Sequence, residues 1–136
     1  MRKTFTLLGS MGLLTLLAGA SCSESNPTGA GDPSDELVIE PIHIERVDVL
    51  ILESFPPQAT AHVRGVVGDG CSELHSVQQE RSGGAVTMTI LRQRPREAVC
   101  IQIAKLYDEH IRLEGNYAPG EYVLSVNDFV TTFTTQ

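Results

Sequence analysis

The sequence predicts an all-β domain, an antiparallel β-sandwich of the immunoglobulin-like type with about seven strands. From residue 37 onward the apolar residues recur at every second position, and no segment keeps a helical period for three turns. Clusters of glycine, proline, asparagine and aspartate separate these segments at intervals of about ten residues. Short alternating segments at this spacing are typical of two packed sheets.

The first strands are predicted before residue 68. A change of phase between Ile44 and Val47 predicts a β-bulge near Glu45–Arg46 or a short break between two strands. A second strand alternates small apolar and polar residues from Ala59 to Gly65. It ends at the turn Gly68-Asp69-Gly70, because glycine and aspartate favour turns.

The central part of the sequence predicts a hairpin. A weak strand from Leu74 to Glu80 and a clear one from Ala85 to Leu91 flank the turn Ser82-Gly83-Gly84. Residues 92–104 contain Pro95 and Cys100 and show no clear pattern; within them, residues 98–104 are compatible with a short helix or with an irregular crossover, and both alternatives stay open. Another strand alternates from Tyr107 to Leu113.

A closing hairpin is predicted around Asn127-Asp128. A two-residue loop at this position would pair Val126 with Phe129, Leu124 with Thr131, and Tyr122 with Phe133.

The segment Ala118–Asn127 resembles the P-G-x-Y-x-h-x-V-N hairpin of bacterial extracytoplasmic immunoglobulin-like modules. Together with Asp69-Gly70-Cys71 and Cys100, it is similar to small uncharacterised bacterial lipoproteins that carry one such domain. The resemblance covers Val47–Thr134 in outline. It implies a fold and no activity.

Residues 1–21 are predicted to be a signal peptide. Arg2 and Lys3 form a basic start, and residues 5–17 form an apolar segment that is too short to span a bilayer. The small residues 18–21 form a cleavage zone.

Cys22 and the residues before it resemble the lipobox of bacterial lipoproteins, in which the cysteine is acylated and the signal is cut before it. Ala20 and Ser21 match this motif, whereas Gly19 replaces the usual aliphatic residue. The resemblance implies lipidation at Cys22, and Ser23 after it implies the outer membrane in a Gram-negative cell. The alternative is plain secretion after a cut that follows Ala20. Both alternatives predict an extracytoplasmic protein.

The rest of the chain divides into a tether and one domain. Residues 22–36 contain no large apolar side chain, which predicts a flexible tether. Residues 37–136 have the size of a domain with a single core. Without Arg2 and Lys3, ten basic residues become eight against 17 acidic ones, a net charge of −9. This charge argues against nucleic acid or anionic lipid as the main partner.

The cysteine count predicts a disulfide bond. If Cys22 carries lipid, Cys71 and Cys100 remain as an even pair in an oxidising compartment. Closing a loop of about 30 residues would stabilise the fold by roughly 3.5 kcal/mol. The alternative is two buried free thiols.

Two sets of residues are candidate metal ligands. Cys71 and His75, with His43 or His62 upstream and Met88 downstream, resemble a blue-copper site of the cupredoxin type. Met88 lies too far along the chain from His75 for that site, and a disulfide would remove the thiolate.

Calcium ligands would have to come from Asp69, Asp108-Glu109 and Asn127-Asp128. Aspartate and asparagine in tight turns are explained by hydrogen bonds to their own backbone. His62 and His110 fall on the polar phase of their strands, which predicts surface residues. No metal or cofactor is therefore expected.

Three arginines fall within five consecutive residues of this acidic chain: Arg92, Arg94 and Arg96. Guanidinium groups at this density can bind carboxylates or phosphates, so these three are the candidate partner-binding residues. The alternative is a solvated loop that links two elements.

The sequence contains none of the spacings that define common hydrolases, zinc proteases or phosphate loops, so no catalytic residue and no enzyme activity are predicted. The expected function is a lipid-anchored, non-catalytic binding or accessory module for an envelope protein or glycan. The alternatives are a structural envelope protein and a metal-carrying, cupredoxin-like sandwich.

Overall fold

The computed structural model describes residues 36–136, which form eight strands in two sheets. The predicted signal peptide, Cys22 and the tether before Glu36 lie outside these residues. Residues 36–136 contain no helix that could span a bilayer. The strands are β1 (Leu37–Pro41), β2 (His43–Leu52), β3 (Gln58–Gly68), β4 (Glu73–Ser82), β5 (Ala85–Pro95), β6 (Lys105–Arg112), β7 (Gly120–Val126) and β8 (Phe129–Thr135).

The first sheet is built around β5. Strand β4 pairs with one edge of β5 along most of its length. The other edge is shared, because β1 pairs with Leu91–Pro95 and β7 pairs with Ala85–Met88. Strand β8 follows β7 at the outside of the sheet.

The second sheet is antiparallel and has the order β2-β3-β6. The chain leaves the first sheet after β5, forms β6 in the second sheet, and returns as β7. Because β6 intervenes, β7 runs in the same direction as β5, and this parallel pair departs from the wholly antiparallel arrangement that was predicted.

Both sheets contribute to a single apolar core, so the predicted all-β sandwich is confirmed. Alternation of buried and half-exposed residues is complete along β3, the central strand of the second sheet. In β5 the predicted face is buried. The largest fully buried side chains are Tyr117, Met88, Ile90, Leu113, Leu124, Val63 and Val126.

Local predictions agree with the observed register. The bulge of β2 lies between Ile44 and Arg46. Strands β4 and β5 form the predicted hairpin, in which Ser82 opposes Ala85. The β7–β8 hairpin has the predicted pairs, including Tyr122 with Phe133.

Residues 92–104 divide into two parts. Strand β5 continues to Pro95, and residues 96–104 then form an irregular crossover to β6 without a helix. The helical alternative is therefore wrong. Arg92 and Arg94 lie in this strand and not in a loop, because pairing with β1 extends β5 beyond Leu91.

The sandwich has two ends, which we call the N-terminal pole and the C-terminal pole. At the N-terminal pole, β1 begins, β3 and β5 end, and the crossover 96–104 leads into β6. At the C-terminal pole lie the β2–β3 loop (residues 53–57) and the end of β8. The first described residue, Glu36, and the last residue, Gln136, thus lie at opposite ends.

Candidate functional site

The disulfide between Cys71 and Cys100 organises the N-terminal pole. It joins residues 29 positions apart, with a Cα–Cα distance of 5.5 Å. Cys71 follows the turn that ends β3, and Cys100 lies in the middle of the crossover. The bond therefore ties the second sheet to the segment that leaves the first sheet, and the predicted pairing is confirmed.

The turn before the disulfide depends on the Asp69 side chain. Its Oδ1 accepts hydrogen bonds from the Cys71 main-chain N–H at 3.2 Å and from the buried Ser72 hydroxyl at 2.9 Å. The bond from Ser72 is the main cause that lowers the pKa of Asp69, and Arg94 lowers it further. The Asp69 carboxylate, a candidate calcium ligand in the sequence, thus uses Oδ1 to accept hydrogen bonds within the turn.

Arg92 makes three contacts at this pole. Its Nη2 donates to Glu40 at 2.7 Å, and its Nη1 donates to the Val67 carbonyl at 3.2 Å and to the Ser72 hydroxyl at 3.3 Å. Because Arg92 shares the phase of the buried Ile90 along β5, its side chain covers the end of the core. It is only 23% exposed.

The other two arginines of the predicted cluster are also paired within the domain. Arg94 Nη1 lies 3.5 Å from Asp69 Oδ2. Arg96 donates to both carboxylate oxygens of Glu36, at 2.8 and 2.9 Å, and its pKa is raised by this pair. The cluster is therefore neutralised by acids of the same chain, and Arg96, at 51%, is its most exposed member.

Sequence reasoning missed an apolar feature of the crossover, which we call the crossover ridge: Val99, Ile101 and Ile103. Val99 is fully exposed, and Ile101 and Ile103 are 68% and 52% exposed. The backbone is held by the disulfide and by the hydrogen bond from Gly70 N to Ile101 O at 3.1 Å. The close approach needs glycine, since a Cβ on Gly70 would overlap the Ile101 side chain.

A second polar cluster lies on the outer face of β2-β3-β6. His62 Nε2 is 2.6 Å from Asp108 Oδ1, and this contact is the main cause that lowers the pKa of Asp108. The His62 and His110 rings are stacked with centroids 4.1 Å apart. Beside them, Asp48 pairs with Arg46 at 2.8 Å and with Arg64 at 3.1 Å. The Asp48 and Asp108 carboxylates and the His62 ring thus have partners within the domain, whereas the Arg64 Nε is buried without a hydrogen-bond partner.

Metal-ligand geometry is limited in the described part of the chain. Among residues 36–136, only Asp69, Cys71 and Cys100 bring three potential ligand atoms together. Both sulfurs are bonded to each other. His75, the other half of the predicted copper pair, directs Nδ1 to Gln93 Oε1 at 2.8 Å. The predicted copper site would therefore have no free thiolate from Cys71 as a ligand.

The C-terminal pole bears an open groove of about 620 Å³ beside the fully exposed Phe55. Leu52 is exposed at its rim. The groove is lined by Ile51, Leu52, Glu53, Ser54, Phe55, Pro57, Thr134 and Gln136. This surface faces away from the crossover ridge.

These features define a small two-sheet β-sandwich with a disulfide at one pole and apolar surface at both. The chain belongs to the family described as "ORF11 beta-sandwich domain", whose model matches residues 61–135. The matched range includes the disulfide and strands β4 to β8.

Two relatives from Herpetosiphon aurantiacus are similar to this chain. The "Uncharacterized 10.2 kDa protein in HgiCIIM 5'region" is 35% identical over 85 residues, which cover 62% of this chain and 90% of the relative. The "Uncharacterized 10.2 kDa protein in HgiBIM 5'region" is 32% identical over 75 residues, which cover 55% and 92%. No solved structure matches the chain significantly.

Proposed function

We propose that the protein is an extracytoplasmic lipoprotein, anchored through Cys22, that acts as a non-catalytic binding or accessory module for an envelope protein or glycan. The Cys71–Cys100 disulfide is the observation that carries the proposal. Disulfides persist in oxidising compartments and are rare in the cytosol. The lipobox-like residues before Cys22 imply the same side of the membrane.

The positions of the two poles fit this arrangement. Residues 23–35 separate Cys22 from Glu36, and the chain between these two residues spans at most about 50 Å when fully extended. Glu36 lies at the N-terminal pole, bound to Arg96. An acylated Cys22 would therefore hold the N-terminal pole within about 50 Å of the membrane, and the C-terminal pole, with the groove beside Phe55, lies at the other end of the domain.

Two surfaces are candidates for partner contact. Arg96 is the most exposed guanidinium of the cluster that the sequence singled out. Phe55 is a fully exposed aromatic side chain beside a groove, and aromatic residues are enriched in protein interfaces. A metal-carrying role has less support, because Cys71 is bonded to Cys100.

Anchorage is tested by fractionation and mass spectrometry. We expect wild-type protein in the membrane fraction with an acylated N-terminal cysteine. Cys22→Ser should appear in soluble fractions or remain uncleaved. A wild-type product that begins at Ser21 without added mass would disprove lipidation.

Partner binding is tested with the full, lipidated protein after chemical cross-linking in intact envelopes. Arg96→Ala and Phe55→Glu alter the two candidate surfaces, and both residues are exposed enough for substitution without loss of the fold. A specific cross-linked product that disappears in one variant supports the binding module and identifies its surface. If no specific product forms in the wild type, a structural envelope role becomes the better explanation.

A further inference from the structure

We propose that the crossover ridge is a membrane-contact surface, where Val99, Ile101 and Ile103 enter the interfacial region of a lipid bilayer beside the lipid anchor. This inference rests on the proposed anchoring at Cys22, and it adds a second, protein-made contact with the membrane. The surface that the crossover ridge contacts is a lipid bilayer, not a protein.

The ridge has a fixed shape before any partner binds. Cys100 lies between Val99 and Ile101 and is bonded to Cys71, so the residues on both sides of it are held with their side chains in solvent. Ile101 is also held through its carbonyl by Gly70 N–H. Little conformational entropy is therefore lost when the ridge meets a surface, which favours binding.

The place where the chain leaves the domain puts the ridge near the membrane. The main-chain N–H of Arg96 donates to the Glu36 carbonyl at 2.8 Å, and Arg96 precedes Val99 by three residues. The link from Cys22 to Glu36 spans about 50 Å at most. For the flexible tether that its composition predicts, the mean span is nearer 20 Å. An acylated Cys22 would keep this pole close to the lipid.

The chemistry of the ridge fits hydrocarbon better than a specific protein partner. Its three large side chains are aliphatic, and the amide of Gln102 between them donates to the Cys100 carbonyl at 3.3 Å. Protein interfaces favour aromatic and arginine side chains, and residues 99–103 contain neither. Burying aliphatic side chains in the interface is the usual driving force of peripheral membrane binding.

Charge at this pole does not select anionic lipid. Arg92, Arg94 and Arg96 pair with Glu40, Asp69 and Glu36, respectively. Each of these three guanidinium groups is matched by an acid, and Lys105, the cation that begins β6 at this pole, donates to the Ser72 carbonyl at 2.8 Å. The arginine cluster therefore offers phosphate groups no surplus of positive charge. We therefore expect binding to neutral phosphatidylcholine and little effect of salt, since screening weakens only electrostatic attraction.

The sequence contains no tryptophan, so an introduced one reports only on its own position. Lipidated Val99→Trp is incorporated into phosphatidylcholine vesicles that carry brominated acyl chains. Lipidated Phe55→Trp is the matched control, because Phe55 is equally exposed at the opposite pole. We expect a blue-shifted and quenched emission from position 99 and an unshifted, unquenched emission from position 55.

A second measurement removes the anchor. Protein that begins at residue 22, without the signal segment, and carries Cys22→Ser is floated with phosphatidylcholine vesicles, alone and combined with Val99→Glu or Phe55→Glu. Val99→Glu should lower the partition coefficient roughly tenfold, because one aliphatic side chain leaves the bilayer and a charge takes its place. Phe55→Glu should leave it unchanged.

Three outcomes would overturn the inference. Equal quenching at positions 55 and 99, equal loss of flotation in both glutamate variants, or binding only to anionic vesicles would each contradict ridge-directed contact with neutral lipid. A protein cross-linked at position 99 in envelopes, without lipid quenching there, would reassign the ridge to a protein partner. Mass spectrometry of the wild type tests acylation of Cys22 separately. A wrong prediction of lipidation can therefore be distinguished from a wrong prediction of membrane contact by the crossover ridge.

Discussion

The side-chain amide of Asn127 both accepts a hydrogen bond from the main chain of Ile90 and donates one to it. Its Oδ1 accepts from Ile90 N–H at 2.9 Å, and its Nδ2 donates to the Ile90 carbonyl at 3.0 Å. The same Nδ2 donates to the Ile42 carbonyl at 2.9 Å. One turn residue thus joins the β7–β8 hairpin to β5 and to the segment where the chain passes between the two sheets.

Asn127→Gly should lower the free energy of unfolding by about 2–4 kcal/mol, because the Ile90 N–H and the Ile42 carbonyl lose the side chain that pairs with them, whereas the Ile90 carbonyl keeps its bond from the Ile42 N–H at 3.1 Å. Glycine accepts the positive φ of 51° at this position, so the loss reports on the side-chain hydrogen bonds. Urea unfolding followed by circular dichroism measures it. Asp128→Ala, in the exposed neighbour, should change stability by less than about 0.5 kcal/mol. Equal effects of the two substitutions would contradict this role.

The predictable parts of the fold are those that local pattern determines. The β7–β8 register follows from alternation and a two-residue loop, and the bulge between Ile44 and Arg46 follows from a change of phase. The parallel β5–β7 pair and the bond from Asn127 to Ile42 could not be predicted in this way. Asn127 and Ile42 are 85 residues apart, and only packing of the two sheets brings them together.

The disulfide should account for a large share of stability. Replacing both Cys71 and Cys100 with Ala should lower the free energy of unfolding by about 2–5 kcal/mol and speed hydrogen exchange in the crossover. The double variant avoids a new free thiol. Non-reducing digestion of the wild type should yield a linked peptide, whereas two alkylatable thiols in protein from envelopes would refute the bond.

Arg92 and Arg96 should differ in their effect on stability although the sequence places them in one cluster. Arg92→Ala removes three hydrogen bonds at a largely buried site, so we expect a loss of about 1–3 kcal/mol. Arg96→Ala removes an exposed pair with Glu36 and should cost less than about 1 kcal/mol. Urea unfolding of the two variants tests the order, and a greater loss in Arg96→Ala would reverse the assignment.

The arginine spacing predicted a cluster but not its partners. The acids that pair with Arg92 and Arg96 lie 52 and 60 residues earlier in the chain. Alternation of Val99, Ile101 and Ile103 was visible, yet apolar alternation ordinarily indicates a buried face. Exposure here results from the disulfide and from the irregular path of the crossover, which a periodic pattern does not encode.

The turn at Asp69 should make stability depend on pH in the acid range. Hydrogen bonds from Ser72 and Cys71 and the charge of Arg94 hold the pKa of Asp69 below its usual value near 3.9. A carboxyl group with a lowered pKa in the folded state stabilises the fold above the unfolded-state pKa. That contribution disappears as the pH falls through the lower, folded-state pKa.

NMR titration of the Asp69 carboxyl carbon should therefore give a pKa below that of an unstructured aspartate. Ser72→Ala should raise this pKa, because the Ser72 hydroxyl is the largest cause of the shift. Asp69→Asn cannot titrate, so its free energy of unfolding should fall less than that of the wild type between pH 5 and strongly acid solution. An ordinary pKa for Asp69, or the same acid sensitivity in wild type and Asp69→Asn, would show that the carboxylate is not what stabilises this turn.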